Sequence, residues 1–407
     1  MNTPQFNARS LESGQAIVLL ALVMVGLLAS LGLAIDGGGL FLLQRNAQNA
    51  VDAAVLSATY ARCTAGTSPV DAALTAAEAN GFANDGTTNT ITVNIPPQSG
   101  ERAGDPDYVE IILQTRKESY FIQLVYPGPL EVTVRAVAYC RPPFNPTTLP
   151  PLWAGWTVCS DTVNWTGSSA TVEGGIFSNN ELKFGGGGNG NTIIGPTTAV
   201  KNVQTSNGGN ATFDPAPVYG PDKVEVQSDP VGLRLRDFAP GGSVSDRVLE
   251  NSGIYHVIRT SADDPDFDRG EWKPRNGRIL AGLYYVDGDV KLGNGVVYDP
   301  LGVTIATTGE ISGSGGASWR YYIDGILLYT DHEATNCGDD GISVSGSRSI
   351  WYGVIYAPNT GVNISGSNLT IYGAIIGDRI DISGSNLVFD YDPTLLPPRP
   401  PLVQIAE

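Results

Sequence analysis

The sequence predicts a mainly β protein: an N-terminal transmembrane helix and a small α+β module, followed by a parallel, right-handed β-helix solenoid. Three observations carry this expectation. Residues 16–35 run for twenty positions without a charge, about the length that crosses a hydrocarbon core of roughly 30 Å. Glycine supplies 50 of 407 residues while charged residues supply only 16%, a composition that favours turns and stacked strands over charged helices. Near the C-terminus one motif recurs: Ile342-Ser343-Val344-Ser345-Gly346-Ser347, Val362-Asn363-Ile364-Ser365-Gly366-Ser367 and Ile380-Asp381-Ile382-Ser383-Gly384-Ser385, at spacings of 20 and 18 residues.

Composition also excludes function classes. Acidic residues outnumber basic ones 41 to 24, a net charge of −17, so no nucleic-acid partner is expected. With 2 His and 4 Cys, a His- or Cys-based metal site would consume most of the ligands available, and no metal or cofactor is expected.

Residues 1–15 form a short polar N-terminus and residues 16–35 the membrane helix. A cleaved signal peptide is the competing reading, since Gly32 and Ala34 are small. The apolar run is longer than a signal core, and Arg9 is offset by Glu12, so a retained anchor is expected. Arg9 and Arg45 flank the span about equally, and charge leaves its orientation open. Asp36 is followed by three glycines, which predicts a hinge before helical composition resumes. In that second stretch Ala47, Ala50, Ala54, Ala58 and Ala61 share one helix face, and within the span Gly26, Ser30 and Ala34 recur every four residues. Small residues so placed admit a partner helix, although alanine and glycine are also common in anchor helices.

A helix over 70–79 and strands over 90–95, 108–115 and 130–139 complete the module at 36–141. Pro142, Pro143, Pro146, Pro150 and Pro151 then predict a linker at 142–154. All four cysteines lie beyond the span. If they pair, these boundaries favour Cys63 with Cys140 and Cys159 with Cys337, which would fit an oxidising compartment; four reduced thiols are the other reading.

Three N-terminal stretches, Gly14-Gln15-Ala16, then Leu33-Ala34-Ile35-Asp36-Gly37-Gly38, then Gln48-Asn49-Ala50-Val51-Asp52-Ala53-Ala54, occur in order. Together they resemble the N-terminal region of TadE/TadG-like Flp pilus-assembly proteins, well over residues 13–62 and loosely to 140. The resemblance implies a single-pass cell-membrane protein with a cytoplasmic N-terminus, the bulk of the chain outside, and pilus-assembly or envelope proteins as partners. One position departs from it. Processed pilin-like relatives carry a glutamate five residues after the cleavage glycine, and counting from Gly14 that position is Leu19, so an accessory protein is expected rather than a major subunit.

The solenoid is expected over 155–395, with Val344, Ile364 and Ile382 stacked inward, glycine at its corners and an insertion at about 215–277. Residues 396–407 form a proline-rich tail. Asp264, Asp266 and Asp268 alternate as a weak calcium candidate, but the position of Gly270 breaks EF-hand spacing. Asp331-His332 and Asp339-Asp340 raise a glycan-cleaving reading without the accompanying motifs of polygalacturonase-type glycosidases, and no enzyme activity is expected. His256, inside a strand pattern, reads as structural. Trp153, Trp156, Trp165, Trp272, Trp319 and Trp351 offer a possible polysaccharide-binding face, although packing explains most such residues. The expected function is a non-enzymatic, membrane-anchored protein of pilus assembly, anchoring or surface architecture, with an adhesin or polysaccharide-binding solenoid as the alternative.

Overall fold

A computed structural model describes residues 13–64, 67–124, 128–141, 145–185, 190–205, 211–227, 229–274, 278–293, 297–314, 318–395 and 401–406. Most of the expected cytoplasmic N-terminus therefore lies outside the described residues. The chain divides into two compact units, residues 1–143 with 400–407, and residues 144–399.

In the first unit, helix α1 runs unbroken over Ser13–Thr64. The hinge expected after Asp36 is absent. Gly37 and Gly38 face open space, and each glycine costs about 1 kcal/mol in a helix interior, but extending a helix already formed on both sides is far easier than starting one. Packing supplies the rest, because Leu40 and Leu43 already rest on the module's core. Helix α2, Pro69–Ala79, begins where Ser68 accepts the Asp71 N–H and Pro69 fixes the first turn. Strands β1 (Asn89–Asn94), β2 (Tyr108–Lys117) and β3 (Leu130–Arg141) form an antiparallel sheet, with Ile111 opposite Ala136. The expected proline-rich tail is, over Leu402–Ile405, a fourth strand: Val403 pairs with Cys140 along β3. The second unit is thus inserted in sequence between two strands of one sheet.

The second unit is a parallel β-solenoid of about ten turns, and its order in space differs from its order in sequence. The turns at 282–298, 303–320, 326–352, 354–372 and 375–390 stack in succession, with Val344, Ile364 and Ile382 in register and buried as expected. The turn at 375–390 then stacks on 152–173, the first turn of the unit: Ile375 pairs with Leu152, Ile380 with Val163 and Phe389 with Val172. Stacking continues through 176–194 to 197–214. The chain therefore enters in mid-stack, winds to one end, crosses to the other and winds back to its starting turn. One interior column, Tyr284, Ile305, Leu328, Ile355, Ile375, Leu152 and Ile176, passes through this splice without interruption.

The crossing segment corrects two expected boundaries. It occupies about 220–254, carrying α3 (Leu235–Phe238) and α4 (Ser243–Glu250), whereas 255–279 is already a solenoid turn. The solenoid also begins inside the expected linker, at Leu152–Ala154.

Corner geometry repeats from turn to turn. Arg348, Asn368, Asn386 and Ser169 all adopt left-handed backbone, φ 54–56°, at equivalent places, and the Asn386 amide donates to Asn368 Oδ1 at 3.1 Å. Gly366 has φ 138°, and a Cβ there would collide with the Gly346 carbonyl of the turn above. Gly366→Ala is expected to cost about 2–3 kcal/mol from backbone strain and displacement of the ladder. All six tryptophans lie in this unit, so a urea titration followed by tryptophan fluorescence reads its stability. An unshifted midpoint would show that the corner relaxes freely.

Candidate functional site

Every side chain of α1 from Ile17 to Leu31 is exposed, and none carries a charge. Beyond them the helix turns one face onto the sheet, and the residues of the N-terminal motif make that contact. Gln48 donates through Nε2 to the Arg135 carbonyl on β3 at 3.2 Å and to Asp52 Oδ1 at 2.8 Å. Ala47, Ala50, Ala54 and Ala58, fully buried, let the helix backbone approach the sheet residues Val109, Ile111, Val134 and Ala136. This corrects the partner expectation for Ala47, Ala54 and Ala58: that face is covered within the same chain, by the module's own sheet and by Ala73 and Ala77 of α2, and not by another subunit. Gly26, Ser30 and Ala34 remain exposed, with the Ser30 hydroxyl bonded to the Gly26 carbonyl at 2.9 Å.

Asp36 is 4% exposed and accepts the backbone N–H groups of Tyr120, Phe121 and Ile122 at 2.9, 2.8 and 2.7 Å. It thereby fixes the segment between β2 and β3 to the helix just where the apolar run ends. The cysteines form two bridges, Cys63 with Cys140 and Cys159 with Cys337, each with Cα atoms 5.8 Å apart.

In the solenoid unit, the crossing segment covers an apolar outer column. Tyr285, Ala306, Tyr329, Tyr356, Ile376, Trp153 and Phe177 follow one another along the stack, and Val231, Leu233, Phe238, Val244 and Val248 pack across them. Asp229 is the polar fastening. It accepts the Val231 and Gly232 N–H groups, the Arg234 guanidinium at 2.9 Å and the Tyr356 hydroxyl.

Asp378 stands near this seam. Burial, reinforced by the charge of Asp229, pushes its carboxyl from 3.8 up to about 7. A carboxyl raised in the folded state holds its proton there more tightly than in the unfolded chain, so its contribution falls as pH climbs from about 4 to 7 and stays lost above. Asp378→Asn is therefore expected to raise the unfolding midpoint at pH 8 and leave it nearly unchanged at pH 4. An equal shift at both values would assign the effect to packing instead.

The structure separates the other candidate residues. Asp264 Oδ1 accepts the Asp266 N–H at 2.8 Å, while Asp268 is exposed on a hairpin; the three do not converge on a calcium site. His256 stacks on Tyr284 at 4.3 Å between ring centres, and Tyr284 stacks on Trp272 at 5.1 Å, consistent with a packing role. Asp339 and Asp340 turn to different partners. Asp339 accepts from Thr335 and lies 3.3 Å from His332 Nε2, whereas Asp340 accepts from Arg379 at 2.7 Å and Asn363 at 3.2 Å. Asp331 accepts the Tyr329 hydroxyl at 2.8 Å. Among the described residues one set offers three convergent ligand atoms, Glu310, His332 and Asp339, all within 4.8 Å of one another. Sequence reasoning named His332 and Asp339 but missed Glu310, which lies one turn away. Of the tryptophans, Trp153, Trp165, Trp272, Trp319 and Trp351 are buried and Trp156 is half-buried, so packing accounts for most of them, as expected, and the alternative of an aromatic binding face is not formed by these residues.

These features define a β-solenoid protein carrying an apolar N-terminal helix of membrane-spanning length. Residues 14–77, which hold α1 and most of α2, match the family described as putative Flp pilus-assembly TadE/G-like. The chain thus carries a TadE/G-like domain, which associates it with Flp pilus assembly. Residues 251–396, the six solenoid turns that follow the crossing segment, match a domain of unknown function, DUF7305. No curated protein and no solved structure matches the chain.

Proposed function

We propose that this is a non-enzymatic accessory protein of Flp/Tad-type pilus assembly, held in the cell membrane by residues 16–35 with the chain beyond residue 35 on the extracytoplasmic side. The observation that carries the reading is the TadE/G-like match, whose motif residues dock an exposed apolar helix onto a folded module. Two disulfides favour an oxidising compartment. Leu19 supports an anchored role over assembly as a major subunit, because the span carries no carboxylate to pair with a neighbouring subunit. Burial of five tryptophans removes the observation that favoured a polysaccharide-binding face.

The test is to shear appendages from cells, separate them from membranes and identify peptides from residues 40–62 and from the solenoid by mass spectrometry. Both sets are expected in the membrane fraction. Their recovery with sheared appendages would replace the accessory role with that of a pilus subunit.

A further inference from the structure

We propose that the module of the first unit rests on the bilayer through a second, interfacial contact, made by Tyr120 and Phe121 beside the end of the membrane helix. This rests on the reading of residues 16–35 as the anchor. Three observations place the contact. Asp36, at the end of the apolar run, gathers the N–H groups of residues 120–122, so their height along α1 is fixed. Phe121 reaches further toward the span: it lies over Gly32, where an added Cβ would stand 2.9 Å from its Cβ and Cγ. Gly32 is four residues before Asp36, roughly 6 Å along a helix axis. The segment therefore extends about one helical turn past the end of the span.

Exposure gives the third observation. Tyr120 is 69% and Phe121 44% exposed although both are held in place, and around the same level Leu33, Ile35, Phe41 and Leu42 are also exposed. This apolar collar is continuous with the uncharged surface of α1, and the exposed helix surface turns polar only at Gln44, Arg45 and Asn46. Aromatic side chains at such a level partition into the headgroup region, with the Tyr120 hydroxyl free to reach water. Lys117, whose ammonium lies near Gly39, falls within the level of this collar, between Ile35 and Phe41, where headgroup phosphates would meet it. A bilayer accounts for all of these residues together, since it surrounds the helix on every side. A single partner helix would leave Phe41 or Phe121 uncovered, because they lie on opposite sides of α1.

The native cysteines are all bridged, so an added one can be labelled alone in the full chain. The experiment places an environment-sensitive fluorophore at Tyr120→Cys, Ile35→Cys, Met24→Cys or Glu101→Cys, with protein reconstituted in phosphatidylcholine vesicles containing lipid spin-labelled either near the headgroup or deep in the acyl chain. The expected result is shallow-lipid quenching at position 120 as strong as at position 35, deep-lipid quenching at 24, and none at 101 in the distal loop. Quenching at 24 with none at 120 would leave the anchor standing and overturn the interfacial contact. Absence of quenching at 24 would overturn the anchor and the contact with it.

Discussion

Replacing Cys159 and Cys337 by serine is expected to destabilise the solenoid unit by about 5 kcal/mol, the loop-entropy value for a closed loop of this size. The bridge spans 178 residues of sequence and fastens the unit's first turn to a loop of the turn at 326–352, the third turn beyond the splice. That loop runs along the stack. The Ala334 N–H bonds to the Asn359 carbonyl, Arg379 donates to the Cys337 carbonyl, and the disulfide then reaches the turn at 152–173. Without the bridge, the three N-terminal turns keep the ladder to 375–390 and the crossing segment, but the unfolded chain regains the freedom the covalent closure removed. Tryptophan fluorescence during urea unfolding should show a large fall in the midpoint for the double variant, with a matching fall for the wild type under reducing conditions. Equal midpoints with and without reductant would show that the ladder alone holds the splice.

Much of this architecture is written in local periodicity, and the parts that are not involve distant pairings. Val344, Ile364 and Ile382 repeat at nearly one turn of chain, so their stacking is readable from spacing alone. The contact of Leu152 with Ile375 joins residues more than two hundred positions apart, and no repeat spacing connects them. A signal for the covered outer face does exist. Gly282–Val286, Val303–Thr307 and Ile326–Thr330 do not alternate between apolar and polar residues, and each is buried along its whole length, as expected of strands covered on both faces. Reading that pattern would have required a covering element, which the 220–254 segment supplies. The alanine face of α1 shows the converse limit: small residues specify close approach without naming what approaches, and here it is α2, β2 and β3 of the same chain. Leu402–Ile405 is too short to read as a strand, and it forms because β3 offers an open edge.

Glu110 ties β1, the 98–99 loop and β3 together, and Glu110→Ala is expected to destabilise the first unit by about 3 kcal/mol, the cost of leaving several donors, among them the buried Asn94 amide, without their shared acceptor. Its side chain is fully buried and accepts from Asn94 Nδ2 at 2.7 Å, the Gln98 N–H at 3.0 Å, Ser99 Oγ at 2.7 Å and Arg135 Nε at 2.6 Å. Burial works to raise its pKa, but these hydrogen bonds, with Gln98 and Arg135 foremost, outweigh it and hold the carboxyl near 2 against an ordinary 4.5. With the folded value depressed, the carboxylate contributes its full stability above about 4.5 and loses it as pH falls toward 2. Glu110→Gln keeps the shape and one acceptor but cannot titrate, so its stability should lack this acid-limb dependence. Since the first unit holds no tryptophan, calorimetry on the full chain compared with tryptophan fluorescence isolates its transition. Wild type should lose that transition progressively between pH 5 and pH 2, while Glu110→Gln, weaker at pH 7, should change little from this group. A parallel acid dependence in both proteins would place the titration elsewhere. The consequence reaches the apolar helix, because Arg135 carries the carbonyl that holds Gln48 of α1. Loss of Glu110 should therefore loosen the seat of the helix on the sheet while leaving the solenoid's tryptophan signal unchanged.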